Sequence, residues 1–265
     1  MNILCIGDVV GESGREAIKK LLPDLRKEFA ADLVVVNAEN SAGGSGVTPR
    51  IAQELFKNGC DVLTSGDHIW DRAEIKEYLG ECPYLLRPAN FPDGTPGKGS
   101  CIIETPAGEK VAIINLLGRV FMRYNVNCPF RELKNIVNKL KNNVRVIIVD
   151  MHAETTSEKV AISRYMDGEV SAIVGTHTHI PTADEAVLPG GTAYITDLGM
   201  TGPHDSVIGQ NKDRIIERFL TVMPSKFEVA TADTRLNGVV IDIDEKTGKA
   251  RTITRIQRRL SEAIT

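Results

Sequence analysis

Short apolar runs closed by glycine, asparagine, aspartate or histidine recur along the chain, and in its first half they alternate with stretches of helical period. Asn2–Ile6 reads as a buried strand, and Ile18, Leu21, Leu22, Leu25 and Phe29 fall on one face of a helix after it. Ser13-Gly-Arg-Glu16 offers a capping box for that helix, and Pro23 is expected to kink or interrupt it. Leu33–Val36 predicts a second strand, Ile51–Phe56 a short helix, Val62–Thr64 a third strand and Asp71–Tyr78 another helix. The middle changes character, because Cys101–Glu104 and Val111–Leu117 flank Thr105-Pro-Ala-Gly108, a hairpin signal. A helix over Phe130–Leu140, a β-branched strand at Val144–Val149 and a capping box at Thr155-Thr-Ser-Glu158 follow. Ala172–Val174 and Ala193–Thr196 are further strands, and Val239–Ile243 with Thr252–Ile256 close the chain as a second hairpin. Alternating βα units plus late hairpins indicate α/β layering around a mixed sheet, and the absence of repeats or linkers favours one domain over residues 1–265.

The polar residues that end these runs carry the candidate chemistry. Asp8, Glu39-Asn40, Asp67-His68, His152 and His177-Thr-His179 all follow strand-like segments, and ligands of α/β folds gather beyond the carboxyl ends of strands. Asp, Glu, Asn and His form the donor set of a two-metal hydrolytic centre. Asp8 reads as a metal-binding carboxylate, or else as a helix cap or turn residue. A glycine loop for nucleotide is a weaker alternative, because Gly7, Gly11 and Gly14 miss the G-x-G-x-x-G spacing. Glu39 can bridge two cations and the Asn40 carboxamide oxygen can ligate one of them. In Ala42-Gly-Gly-Ser-Gly46 the backbone amides of Gly43 and Gly44 are candidates to approach a substrate phosphate, and a mobile surface loop is the equal alternative. Asp67 can ligate a cation while His68 faces substrate as proton donor, with Asp71 either orienting His68 or opening a helix. His177 and His179 would both face one site if the chain there is extended, since alternate residues of a strand point the same way. His204 lies in a turn and receives no role.

Composition narrows the class. A chain of 265 residues with 42% hydrophobic content can bury a large core, and its net charge of −3 gives no reason to expect a polyanion-binding surface. Long nucleic acid is therefore disfavoured as substrate. The alternating run Arg251 to Arg259 reads as a strand's solvent face. Five widely spaced cysteines without a CxxC pair suit a reducing cytoplasm, and no run is long and apolar enough to predict a membrane span. The chain has no G-x-S-x-G elbow, Walker A sequence or H-E-x-x-H helix.

Taken in order, Asp8, Glu39-Asn40, Gly66-Asp-His68, His152 and Gly175-Thr-His-Thr-His179 resemble the calcineurin-like metallophosphoesterase superfamily. Gly7-Asp-Val-Val-Gly11, Asn37-Ala-Glu-Asn40, Gly118-Arg-Val-Phe-Met122, Asp150-Met-His-Ala-Glu-Thr155 and Thr196-Asp-Leu-Gly-Met-Thr-Gly-Pro203 resemble its bacterial branch of 2′,3′-cyclic-nucleotide 2′-phosphodiesterases. The resemblance implies a four-layer α/β/β/α sandwich with two metal ions per chain, iron or manganese first and zinc as the other choice. It implies one metal on Asp8, Glu39, Asn40 and His179, and the other on Glu39, Asp67, His152 and His177. It also implies attack by a hydroxide between the metals, with His68 protonating the departing 2′-oxygen of a small cyclic nucleotide or related phosphodiester. A low-turnover regulator that binds nucleotide or a partner, and a phosphomonoesterase or nuclease, are the alternatives; self-association as a homo-oligomer is left open. Three positions depart from the superfamily pattern: Val10 where a histidine is usual, Ile69 where an acid is usual, and Asp67 where asparagine is usual.

Overall fold

The computed structural model describes residues 1–262. In chain order the elements are β1 (Asn2–Ile6), α1 (Gly11–Glu28), β2 (Leu33–Asn37), α2 (Pro49–Lys57), β3 (Val62–Thr64), α3 (Ile75–Glu81), β4 (Ser100–Glu104) and β5 (Lys110–Leu117). There follow α4 (Pro129–Leu140), β6 (Val146–His152), α5 (Thr156–Tyr165), β7 (Ala172–Thr176), β8 (Ala186–Val187), β9 (Ala193–Ile195), β10 (Gly202–Pro203), α6 (Lys212–Thr221), β11 (Thr234–Ile243) and β12 (Ala250–Arg259). They build two mixed sheets, one ordered β10-β11-β1-β2-β3 with β12 paired to β11, the other β4-β5-β6-β7-β9-β8.

Side-chain parity along the strands generates four layers. Ile3, Cys5, Leu33 and Val35 meet Val111, Ile113, Val146, Ile148, Ala172 and Val174 between the sheets. Leu4, Ile6, Val34 and Val36 turn the other way, onto Ile18, Leu22 and Leu25 of α1 and Leu55 of α2. Ala112, Ile114, Ile147 and Val149 pack likewise on Leu133 and Val137 of α4 and Ile162 of α5. With both faces buried, these strands read as continuous apolar runs instead of alternating ones. The result is the α/β/β/α sandwich.

Several local expectations give way to tertiary context. Helix α1 starts at Gly11, so Ser13 lies inside it and caps nothing; Val10 is the N-cap residue without a side-chain bond. Pro23 does not interrupt the helix, which runs through to Glu28. The helix expected at Asp71–Tyr78 begins only at Ile75. Thr155 does occupy the N-cap of α5 but makes no capping bond. Glu158 instead accepts hydrogen bonds from the backbone N–H of Arg119 and Val120, pinning the loop after β5. Strand β6 starts two residues later than expected and continues through His152, so this imidazole is carried by the sheet itself.

Candidate metal centre

The layer between the sheets is apolar for most of its length and turns polar at the carboxyl ends of the parallel strands. Asn37, Thr64, Asn115, Asp150, His152 and Thr176 share the parity of the inter-sheet residues that precede them, and all six are buried. Beyond these ends the chain leaves the sheets and brings Asp8, Glu39, Asn40, Asp67, His68, His177 and His179 over them.

One pole of the cluster is tight. The Nε2 atom of His152 is 3.0 Å from Glu39 Oε1 and 3.4 Å from Asp67 Oδ1. His177 Nδ1 is 3.0 Å from His152 Nε2 and 3.5 Å from Asp67 Oδ1. One donor atom from each of Glu39, Asp67, His152 and His177 thus falls within 4.8 Å of the others. Gly66 makes this approach feasible, because a Cβ there would lie 2.2 Å from both Glu39 Oε2 and His152 Nε2.

Glu39 also faces the second pole. Its Oε1 accepts from Asn40 Nδ2 at 3.3 Å and lies 3.5 Å from His68 Nδ1. Asn40 Nδ2 is 3.0 Å from His179 Nε2, and its Oδ1 is 2.7 Å from His68 Nδ1. A half-turn of the carboxamide would bring its oxygen to the His179 side, as ligation requires. Asp8 accepts the His177 backbone N–H through Oδ2 at 3.2 Å.

The donor set fits cations. Asp8 Oδ1 and Asp67 Oδ1 are buried carboxylate oxygens that receive no hydrogen bond, a condition costly without a counter-charge. Burial pushes Asp8 up to about 6 despite the neighbouring imidazoles of His179 and His152. Burial also opposes ionisation of Glu39 and Asp67, yet His152 holds both below the usual carboxylate range. In return, these carboxylates overcome the burial of His152 and raise it well above an ordinary histidine. Burial and the proximity of His152 lower His177 to about 4. A proton on His152 therefore balances charge where a metal would otherwise do so, and metal binding must displace it.

Each candidate imidazole ligand is oriented from behind, as metal-ligating histidines usually are. His152 Nδ1 donates to Thr176 Oγ1 at 2.8 Å, and that hydroxyl donates to Asp150 Oδ1 at 2.7 Å. Thr64 and Asn37 donate to the other Asp150 oxygen. His177 directs Nε2 to Glu154 Oε2 at 3.2 Å, and His179 directs Nδ1 to the Ile208 carbonyl at 2.9 Å.

The two histidines do not converge by strand alternation. Strand β7 ends at Thr176, and His177 and His179 adopt φ of +100° and +67°. Such conformations cost non-glycine residues on the order of 1–3 kcal/mol each and persist only where surroundings impose them. Here the imposing group is Asp197, fully buried after β9. Its Oδ2 accepts from the N–H and hydroxyl of Thr178, at 3.1 and 2.8 Å, and from Lys159 Nζ at 2.7 Å. Lys159 of α5 is itself fully buried.

Two other expectations are corrected. Asp71 does not orient His68: its carboxylate accepts from Ser45 Oγ and from Arg123 Nη1, because the turn before α3 points it outward. Glu39 and Asn40 hold His68 instead. In the glycine loop, Gly44 donates its N–H to the Asn40 carbonyl and Ala42 donates to Gly46, while Arg72 binds the carbonyls of Ala42 and Ser45. Of the two glycines, only Gly43 keeps an N–H without a backbone partner among the described residues. Asp150, Thr176, Glu154, Lys159 and Asp197 were not anticipated as supporting groups. Strand parity signals the first two; nothing local signals the buried lysine.

Comparison with known proteins gives a consistent set of relatives. The chain matches the family described as YmdB-like protein over residues 4–256. It is 47% identical over 256 residues to a 2′,3′-cyclic-nucleotide 2′-phosphodiesterase of Bacillus subtilis, covering 97% of this chain and 96% of that one. A crystal structure of a hypothetical protein from Thermus thermophilus superimposes with a TM-score of 0.91 at 39% identity, covering 98% of this chain and 99% of the other. A phosphatase from Mycoplasma pneumoniae gives 0.92 at 38% identity, with 98% and 93% coverage.

Proposed function

The chain belongs to the YmdB-like protein family, and on that basis we propose that it is a metal-dependent phosphodiesterase that opens 2′,3′-cyclic nucleotides at the 2′-ester. The observation that carries this reading is the position of Glu39, a buried carboxylate with His152 on one side and Asn40 and His68 on the other. In this reading Glu39, Asp67, His152 and His177 hold one cation, while Asp8, Glu39, Asn40 and His179 hold a second. Mixed nitrogen and oxygen donors suit iron or manganese, with zinc as the other choice. Such a pair, when bound, lowers the pKa of water and offsets the charge of a phosphodiester.

The remaining chemistry belongs to the chain. His68 Nδ1 faces the Asn40 carboxamide at 2.7 Å; with the carboxamide turned for ligation its N–H donates to Nδ1, so the ring proton sits on Nε2, free to be delivered. Glu39 Oε1 lies 3.5 Å from the same nitrogen. The side chain is about one-third exposed, so its outer edge is open to a ligand. Water adds its oxygen to phosphorus and gives up a proton to solvent, while the departing 2′-oxygen takes the His68 Nε2 proton, and the product is a 3′-nucleotide. The substrate phosphate lies over the strand ends, with the Gly43 amide within the loop beside it.

Metal analysis combined with a phosphoester panel tests the proposal. The expected result is two equivalents of metal per chain and turnover of 2′,3′-cyclic nucleotides, with chelation abolishing it. A metal-loaded sample that cleaves phosphomonoesters alone, or nothing, would overturn it. Among the described residues no helix is long and apolar enough to cross a membrane.

A further inference from the structure

The loop between β5 and α4 runs along one edge of the metal centre and is tied down almost residue by residue. Gly118 lies flush on Ala153, where a Cβ would come within 2.6 Å of that residue's own Cβ. The buried Glu158 accepts the N–H groups of Arg119 and Val120. Met122 Sδ accepts the Glu154 N–H at 3.3 Å, and Glu154 is the carboxylate that faces His177 Nε2. Arg123 pairs with Asp71 at 2.8 Å, and Asp71 donates its N–H to the His68 carbonyl. Tyr124 packs edge-on against Phe91, and Phe91 against Trp70. The loop thus joins the His177 side of the centre to the His68 side, and Phe121 stands between the Glu158 tie and the ties at Met122 and Arg123.

Phe121 is the one anomaly in this loop. It is 87% exposed, more than any other aromatic residue among those described, and its ring has no aromatic or cationic partner there. Its φ of +60° is left-handed, a conformation that a bulky residue keeps only where its surroundings impose it. The ties on both sides do the imposing, and their result is an apolar ring held in water beside the metal ligands. Size selects the occupant. Of the exposed sequence neighbours Arg119, Val120, Arg123 and Asn125, only Val120 is apolar. One ring among polar groups falls far short of the about 800 Å² that each partner contributes to a stable protein interface. It matches a single nucleobase, and bases of every kind stack on aromatic side chains. Arg119, whose guanidinium enters no ion pair among the described residues, offers a second plane of the type that holds bases.

We propose that Phe121 is the platform on which the base of a 2′,3′-cyclic nucleotide stacks while its phosphate occupies the metal centre. The subsite rests on the phosphodiesterase reading given above and extends it to the base. A stacking face reads no hydrogen-bond pattern, so the site accepts all four bases and favours purines, which present the larger π surface. KM values of the Mn²⁺-loaded full chain for 2′,3′-cyclic AMP and for its abasic counterpart, 1-O-methylribose 2,3-cyclic phosphate, test this. Stacking should set the wild-type KM for the nucleotide about tenfold below that for the abasic compound. In Phe121→Ala the two values should converge, and Phe121→Trp should restore the gap. Calorimetric titration with 3′-AMP and with ribose 3-phosphate reads the same preference without turnover, and far-ultraviolet circular dichroism controls for folding. Equal KM values in the wild type, or equal rises for both substrates in Phe121→Ala, would overturn the subsite. A chain that cleaves neither substrate, yet prefers 3′-AMP to ribose 3-phosphate and loses that preference in Phe121→Ala, would overturn the phosphodiesterase reading alone. No turnover and no preference would overturn both.

Discussion

Lys159→Met removes a buried ammonium while leaving its partner Asp197 in place, and its effects should separate into stability and metal binding. Both side chains are fully buried and joined at 2.7 Å, so the substitution strands a carboxylate away from water. Breaking a buried pair on one side costs about 3–5 kcal/mol. Replacing both, as in Lys159→Met with Asp197→Leu, removes the stranded charge and should recover much of that loss. The double variant nevertheless leaves the Thr178 N–H and hydroxyl and the Gly199 N–H without their acceptor. The left-handed backbones of His177 and His179 then lose the group that imposes them. If only the lower limit of their strain, about 2 kcal/mol for the two residues, must be supplied again on metal binding, the Kd rises on the order of 30-fold. Urea unfolding of the metal-free proteins and calorimetric titration with Mn²⁺ measure the two effects separately. A double variant as stable as its single parent would refute the stability argument. Unchanged Mn²⁺ affinity in a folded double variant would refute the role assigned to Asp197 in presenting the histidines.

Other outcomes follow from the same geometry. Asp8, Glu39 and Asp67 bring three negative charges to the proposed pair of dications, so Asp67→Asn makes the site more positive by one. It should lower KM for an anionic phosphodiester by about fivefold, from roughly 1 kcal/mol at 4 Å in high dielectric, and shift metal content away from ferric iron; no change in either would refute the charge argument. His68→Ala should reduce kcat on a cyclic nucleotide by about 10²-fold or more while largely sparing bis-nitrophenyl phosphate, whose leaving group needs no proton. Equal losses on both would exclude proton delivery by His68. Gly66→Ala forces a methyl group 2.2 Å from Glu39 and His152; the protein should remain folded at a cost of about 1–3 kcal/mol but fail to retain metal on dialysis. Full metal content in that variant would show that the cluster is looser than drawn.

The sequence by itself determined the principal strands, the burial of β1, β2 and β5–β7 on both faces and the polar residues at their carboxyl ends, because period, turn residues and apolar runs act within a few positions of chain; the two-residue strands β8 and β10 left no such signal. It also contained the buried hub around Asp150: Val146, Ile148, Asp150 and His152 share one face of β6, as do Leu33, Val35 and Asn37 on β2. Tertiary structure decided the rest. Ser13 and Glu158 have the right spacing for caps, yet α1 starts earlier and Glu158 serves a distant loop, since whichever donor packing brings near takes the carboxylate. Asp71 and His68 are close in sequence but face different partners. His177 and His179 present their imidazoles through left-handed backbone held by Asp197 and Lys159, residues from two other elements. No local pattern encodes that arrangement, because the energy sustaining it comes from a buried charge pair that exists only once the layers have closed.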